Sequence, residues 1–124
     1  MLKDKVQPMP RLARVFLMYL LTFYVPEEHL ELVKAALFRK GAGKYGNYDC
    51  CSWEVAGMGQ FRPLRNSTPY IGKENEITRL REYKVEMICV ASCINEVLQE
   101  FKDVHPYEEP AYNVIKLENF ELLI

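Results

Sequence analysis

Apolar and polar positions at the start of the chain predict a strand followed by a helix. The run from Val15 to Val25 is apolar and rich in aromatic and β-branched residues, which is typical of a buried strand. A helix is predicted to begin at Pro26, because proline loses no helical hydrogen bond in the first turn, and to end at Gly41. Its apolar positions recur at helical spacing and form a stripe of Leu30, Val33, Ala36 and Leu37.

Two further strands are predicted beyond a connection that is rich in turn-forming residues. The first covers Tyr48 to Ala56 and is broken by Gly57-Met58-Gly59. The segment from Phe61 to Ile71 contains two prolines and is predicted to be a loop or an irregular hairpin arm. The second strand, Glu82 to Val90, alternates apolar and charged positions more regularly than any other part of the chain.

The rest of the pattern predicts a second helix and a last strand. The helix covers Cys93 to Asp103, with Ser92 as its N-cap. It ends before His105-Pro106, because the residue before a proline is disfavoured in the helical conformation. The last strand covers Ala111 to Leu117. The apolar stripe of the helix consists of Ile94, Val97, Leu98 and Phe101.

The order strand, helix, strand, strand, helix, strand predicts an α+β fold of the ferredoxin-like βαββαβ type. Right-handed crossovers place both helices on one face of a four-stranded antiparallel sheet, so the other face is expected to need a partner. A length of 124 residues suits one domain, which we assign to residues 18–124. Residues 1–17 are predicted to be an N-terminal extension that is loose or joins the first strand at its end.

The beginning of the chain shares some features with a secretory signal. Basic residues precede the apolar run from Val15 to Val25, but the run ends at Pro26-Glu27-Glu28 without a small-residue cleavage site. The run is also too short to cross a bilayer as a helix. We therefore expect it to be a strand of the domain.

The net charge of the chain bears on its expected partners, and its cysteines bear on the cellular compartment in which we expect it. Sixteen basic residues face seventeen acidic ones, a net charge of -1, so we expect neither nucleic acid nor a membrane as a partner. The cysteines include no C-x-x-C pair, and the neighbours Cys50 and Cys51 would point to opposite faces of a strand. Four free thiols in a reducing, cytoplasmic compartment are therefore the expected state of Cys50, Cys51, Cys89 and Cys93.

Motifs of two common classes of enzyme are absent from the sequence. The chain has no glycine-rich phosphate loop and no G-x-S-x-G nucleophile motif. Only His29 and His105 could act as the base that a catalytic nucleophile needs, and His29 is predicted to lie on the surface of the first helix. We therefore expect no catalytic residue and no cofactor.

The densest group of chemically active side chains lies between His105 and Tyr112. If this segment is extended, His105, Tyr107 and Glu109 share one face and Glu108 lies on the other. His105 and Glu109 are then about 13 Å apart, so they cannot hold one ion without ligands from elsewhere. Two interpretations stay open: the prolines and polar groups fix the entry into the last strand, or the segment lines a ligand site.

A second candidate region runs from Tyr48 to Phe61. It contains Cys51, the one tryptophan of the chain, Trp53, and the flexible-looking Gly57-Met58-Gly59. A tryptophan in such a segment serves either as a core or interface residue or as a platform for a ligand. The sequence leaves these alternatives open.

These same segments carry a resemblance to a known family. The chain resembles the small insert domain of the Nif-three-like (NGG-one-interacting-factor-three-like) proteins, standing alone, and its last motif is similar to one in the CutA divalent-ion-tolerance proteins. The matching positions span about residues 18–117 and are Phe23-Tyr24-Val25-Pro26-Glu27-Glu28-His29, Gly41-Ala42-Gly43, Gly46-Asn47-Tyr48-Asp49-x-Cys51-Ser52-Trp53, Gly57-x-Gly59-Gln60-Phe61-Arg62-Pro63, Ile71-Gly72, Glu86 and His105-Pro106-Tyr107-Glu108-Glu109-Pro110-Ala111-Tyr112.

The resemblance implies a trimeric module with a CutA-like or PII-like fold. In full-length relatives a dinuclear metal site lies in the flanking Nif-three-like domain, which we expect to be absent from these 124 residues. We therefore expect a non-enzymatic binding or regulatory module, a homotrimer that binds a small ligand or ion in clefts between subunits. The residues expected to line the clefts are Tyr48, Cys51, Trp53, His105, Tyr107, Glu108 and Glu109.

Two alternatives to this predicted function stay open. The first is a CutA-like protein that binds a divalent metal through His105, Glu109 and Cys51. The second is a structural partner that docks on a separate Nif-three-like protein. Metal titration tests the first alternative and a pull-down tests the second.

Overall fold

A four-stranded antiparallel sheet with two helices on one face forms the protein. The computed structural model describes residues 17–118. The sheet order is β2-β3-β1-β4, so the two central strands are the first and third in the chain. This is the α+β arrangement that the sequence predicts. The elements in chain order are β1 (Met18–Pro26), a 3-10 turn (Glu27–His29), α1 (Leu30–Arg39), β2 (Trp53–Phe61), β3 (Thr78–Val90), α2 (Ala91–Val104) and β4 (Tyr112–Leu117).

The hydrophobic core lies between the helices and one face of the sheet. Alternate residues of β1 and β3, such as Phe23 and Val85, point to this face and are fully buried. The apolar stripes of both helices meet them, and the Phe23 and Phe101 rings pack with centroids 5.1 Å apart. The predicted stripes are confirmed: the buried cluster consists of Leu21, Phe23, Val25, Leu30, Val33, Leu37, Ala42, Val85, Met87, Cys89, Val97 and Phe101, with Ile94 and Leu98 packed against it.

The opposite face of the sheet, which we call the open face, carries apolar side chains that are partly or largely exposed among the described residues. Register places Ile115 of β4 beside Leu20 of β1, which lies beside Ile88 of β3. Trp53 at the start of β2 lies on the same face, since it pairs with Glu86. Trp53 is 67% exposed and Ile115 is 52% exposed. The sheet therefore offers a solvent-exposed apolar surface to a partner.

The second strand differs from its prediction. It covers Trp53–Phe61 rather than Tyr48 to Ala56, and Gly57-Met58-Gly59 lies inside it instead of breaking it. Residues before Trp53 form turns, where Gly43, Gly46 and Cys50 have positive φ values of 80°, 60° and 55°. Nine paired positions along β3 hold the two glycines in the strand, so tertiary pairing overrides their weak strand preference.

Smaller differences concern element ends. The predicted N-cap Ser92 lies within α2, whose N-cap is Val90. The third strand begins at Thr78, four residues before the predicted Glu82. The first strand begins at Met18, and the proposed extension lies almost wholly in residues 1–16, outside the described residues. Gly41, with φ 109°, ends α1 as predicted.

Candidate functional site

The segment from His105 to Ala111 crosses the end of the sheet where β1 and β2 finish. It leaves α2 after Val104 and enters β4 at Tyr112. The backbone N–H of Tyr24 donates to the carbonyl of Ala111 at 3.3 Å, which holds this segment against the last residues of β1. The segment thereby comes to face the connection between β2 and β3, residues 62–77.

A half-open groove of about 680 Å³ lies between this segment, the end of β2 and the β2–β3 connection. We call it the β2-end groove. Its aromatic lining comes from Tyr24, Phe61, Tyr70 and Tyr107. Its charged lining comes from Arg62, Arg65, Glu82, Glu108 and Glu109.

Two hydrogen bonds join the walls of the groove. The phenol of Tyr107 donates to Glu82 Oε2 at 2.6 Å, which ties the 105–111 segment to β3. The backbone N–H of Thr68 donates to Glu108 Oε1 at 2.9 Å, which ties the β2–β3 connection to the same segment. The ring of Tyr107 also packs against Phe61 and Tyr70, with centroids 6.1 and 6.2 Å apart.

Tyr107 stays a proton donor in this arrangement. Burial, and then its hydrogen bond to the Glu82 carboxylate, raise the pKa of the phenol well above its ordinary value. The O–H therefore remains protonated at neutral pH, and the bond to Glu82 is charge-assisted.

His105 lies behind the groove and does not line it. The residue is only 6% exposed, and its ring contacts those of Phe101 and Tyr107 at centroid distances of 5.2 and 4.9 Å. The backbone N–H of Tyr107 donates to Nδ1 at 3.1 Å, so Nε2 carries the proton and donates to the Tyr24 carbonyl at 2.7 Å. The structure therefore specifies one neutral tautomer of His105.

Burial lowers the pKa of His105 below its ordinary value, although the bond to the Tyr24 carbonyl opposes this effect. Protonation of Nδ1 would remove the acceptor used by the Tyr107 N–H. This imidazole is fixed by two hydrogen bonds and serves to anchor the segment.

Three other residues predicted to form a cleft lie at the opposite end of β2. Tyr48, Cys51 and Trp53 stand before or at the first residue of the strand, whereas Phe61, its last residue, borders the β2-end groove. Eight steps along a strand span about 26 Å. Within one chain the predicted set therefore divides into two groups, with Tyr107, Glu108 and Glu109 at the groove and Tyr48, Cys51 and Trp53 far from it.

His29 is less exposed than its predicted position on a helix surface suggests. Its ring is partly buried and meets the Tyr70 ring edge to face, with centroids 5.6 Å apart. Its Nδ1 atom is buried and has no hydrogen-bond partner among the described residues. The sequence prediction missed this contact because Tyr70 belongs to a connection forty-one residues farther along the chain.

The cysteines are free thiols in the structure, and they stand in different surroundings. Cys89 is buried in the core, and burial raises the pKa of its thiol to about 11. Cys51 donates to the Asp49 carbonyl at 3.6 Å. Within residues 17–118 no three His, Cys, Asp or Glu side chains come close enough together to hold a metal ion.

Several groove residues were not singled out by the sequence. Phe61, Tyr70 and Glu82 belong to two different strands and a connection, and pairing of β2 with β3 brings them together. One feature of the sequence does point to Tyr70. It follows Pro69 in a turn-rich connection, where an aromatic side chain does not belong to a helix or strand and is a candidate for a functional contact.

Comparison with known proteins places the chain among longer relatives. It is 45% identical over 94 residues to a GTP cyclohydrolase 1 type 2 homolog of Mycobacterium tuberculosis, matching 76% of this chain and 25% of that protein. It is 39% identical over 102 residues to a protein of the same description from Halalkalibacterium halodurans, matching 82% of this chain and 27% of the relative. The chain thus spans about a quarter of the length of these relatives. No family model matches the chain.

Solved structures include both a longer relative and smaller proteins with the same fold. A Bacillus cereus protein related to NIF3 is 35% identical, with a TM-score of 0.72 over 84% of this chain and 26% of its own. The CutA protein from Archaeoglobus fulgidus, described as a periplasmic divalent cation tolerance protein, has a TM-score of 0.60 over 83% of this chain and 86% of its own. At 19% identity this second likeness shows the fold alone. Neither helix within residues 17–118 is both long and apolar enough to cross a membrane.

Proposed function

The chain belongs to the Nif-three-like (NIF3) family over the quarter of its relatives' length that it matches, and from this we propose that it is a non-enzymatic, homotrimeric binding or regulatory module. The four free thiols support a reducing, cytoplasmic setting for it. The cyclohydrolase description belongs to proteins about four times as long as the matched segment. The engagement of both ring nitrogens of His105 supports a structural rather than a catalytic role for that imidazole.

The observation that carries this proposal is the open face of the sheet. Helices pack over β1 and β3 on the other face, whereas Trp53, Val55 and Ile115 are exposed beside the partly buried Leu20 and Ile88 on this one. A contiguous apolar patch on a sheet face favours burial against another protein surface. Three copies around a cyclic axis can bury this patch against one another.

Cyclic assembly also gives a role to the two separated groups of predicted cleft residues. Trp53 lies six residues, about 20 Å, along β2 from Gly59 at the groove, and Tyr48 and Cys51 precede β2. This is too far for one small ligand to touch both groups in one chain. A neighbouring copy can supply the second group. Clefts between subunits would then combine Trp53 of one copy with Tyr107 and Glu109 of the next.

The alternative of a CutA-like metal site needs His105, Glu109 and Cys51 to share an ion. His105 already uses both nitrogen atoms, and Cys51 lies at the other end of β2. Titration with divalent ions, followed by elemental analysis after dialysis, separates this alternative from the proposal. Retention of one ion per chain would favour the metal-binding function.

A pair of charge substitutions tests the assembly surface. Ile115→Glu places a carboxylate on the open face, where trimer formation would have to desolvate it. Leu32→Glu is the matched control, because Leu32 is 57% exposed on α1, on the other side of the molecule. Light scattering after size exclusion should show a trimer for the wild type and L32E and a monomer for I115E. A trimeric I115E protein would contradict the use of this face.

A further inference from the structure

We propose that the β2-end groove is itself a binding site, and that its ligand is a small organic cation that carries an alkylammonium group. This inference rests on the proposed function, because it names the class of ligand that the binding module would take. It requires no residue from a second copy, since every residue that it uses lines the groove of one chain.

One carboxylate lies inside the groove without a cationic partner. Glu82 is partly buried, and its Oε2 atom accepts the phenol of Tyr107 at 2.6 Å. Because that donor is neutral, the bond leaves the negative charge of the carboxylate uncompensated. Among residues 17–118, no salt bridge involves Glu82. A partly buried charge without a counter-ion is unfavourable, and a bound cation would offset this cost.

Contacts on two sides fix the position of this carboxylate beside aromatic rings. A Cβ atom on Gly59 would lie 2.6 Å from Cδ of Glu82, so the carboxyl group rests against the bare backbone of β2. The ring of Tyr107, to which it is bonded, packs against Phe61 and Tyr70 with centroids 6.1 and 6.2 Å away. Tyr70 is 54% exposed, so its ring offers free surface to a ligand.

A carboxylate beside a cluster of aromatic rings suits an alkylammonium ion. The negative face of an aromatic ring attracts a cation within about 6 Å of its centroid, and clusters of such rings recognise quaternary ammonium groups. The carboxylate adds a direct pairing of opposite charges. A volume of about 680 Å³ lies within the range of small-molecule sites.

The other charges at the groove agree with a cationic ligand. The lining carries three carboxylates and two guanidinium groups, a net charge of -1, from Glu82, Glu108, Glu109, Arg62 and Arg65. Both arginines are exposed on the β2–β3 connection. Burial first, and then the bond to Glu82 and the negative charge of Glu28, raise the pKa of Tyr107. A second carboxylate therefore adds to the negative potential at this phenol.

The test uses probes that separate charge from shape. Choline and 3,3-dimethyl-1-butanol have the same shape, because a carbon atom replaces the charged nitrogen, and n-butylammonium and butanoate are a second pair of opposite charge. Binding is measured by NMR shifts of groove amides. We expect saturable binding of at least one of the two cations, and the tighter one identifies a quaternary or a primary ammonium ligand. The neutral alcohol and butanoate should bind at least tenfold more weakly.

Variants then locate the site. Glu82→Gln removes the charge but keeps an acceptor for the Tyr107 phenol, so cation binding should weaken at least tenfold. Glu96→Gln, at an exposed position of α2, is the control with equal loss of charge and should keep the affinity within twofold. Tyr70→Ala should also weaken binding, and it decides the question if E82Q fails to fold. Equal binding of the neutral alcohol, an unchanged affinity in E82Q, or no saturation by either cation would overturn the proposal.

The I115E protein separates this site from the proposed trimer. Wild-type affinity in a monomeric I115E protein would show that the groove of one chain is sufficient. Loss of cation binding together with loss of the trimer would contradict a site that one chain completes. A monomeric wild-type protein that binds the cation would contradict the trimer and leave the groove site standing.

Discussion

His105 joins three parts of the molecule through one neutral imidazole ring. It links the end of α2 to the Tyr24 carbonyl in β1 and to the Tyr107 N–H in the groove wall. The sequence drew attention to His105, because it stands among phenols and carboxylates. The sequence could not reveal its anchoring role, since Tyr24 lies eighty-one residues earlier and only the β1–β4 pairing brings it near.

The lowered pKa of His105 predicts a specific dependence of stability on pH. The unfolded chain takes up the proton near the ordinary value of 6.5, and the folded chain resists it until lower pH. The free energy of unfolding should therefore be unaffected by this group above about pH 7 and fall as pH drops through 6.5, by at most about 1.4 kcal/mol per pH unit.

His105→Gln checks this pH dependence, because the amide does not titrate. At pH 7.5 the variant should lose about 1–3 kcal/mol of unfolding free energy through the altered hydrogen bonds. In urea unfolding series, the difference between the two proteins should narrow as the pH falls from 7 to 5. A difference that stays constant across this range would mean that His105 does not carry the effect.

The strand β2 shows which part of the fold local sequence can and cannot determine. The apolar stripes of both helices and the alternation in β3 were predictable, since one face of each element must be buried. The position of β2 was not, because Gly57 and Gly59 indicate a break when local preference alone is considered. Pairing with β3 keeps both glycines inside the strand. The side chains of β2 are mostly exposed, so no alternation of buried and exposed positions marks the strand.

The two glycines of β2 provide a matched test of the groove wall. A Cβ atom on Gly59 would lie 2.6 Å from Cδ of Glu82, the carboxylate that accepts the Tyr107 phenol. A Cβ atom on Gly57 would meet nothing within 4 Å. We expect Gly59→Ala to displace Glu82 and to lower the free energy of unfolding by about 1 kcal/mol, because the half-buried phenol of Tyr107 loses its acceptor.

Gly57→Ala should leave stability unchanged or raise it by about 0.4–1 kcal/mol, because alanine restricts the unfolded chain. Both values come from chemical denaturation of the single variants at neutral pH. Equal losses in the two variants would indicate a general cost of replacing glycine in β2 and would argue against the Glu82–Tyr107 bond as a support of the wall.

The two faces of the sheet differ, because helices pack against only one of them. The helices and the core lie on one face, whereas the open face presents Trp53 and Ile115 to solvent. The sequence predicted this asymmetry correctly, because two right-handed crossovers put both helices on the same side. The division of the cleft residues between two ends of β2 could not be predicted, since it depends on where β2 starts.

The association state of the wild-type chain in solution decides whether the open face is a contact surface between copies. Sedimentation equilibrium at micromolar concentrations measures mass without reference to shape. We expect a single species with three times the 14.5 kDa mass of the chain, because copies cover one another's open faces. A monomer over the same concentration range would contradict the claim that this protein is a self-assembling trimeric module.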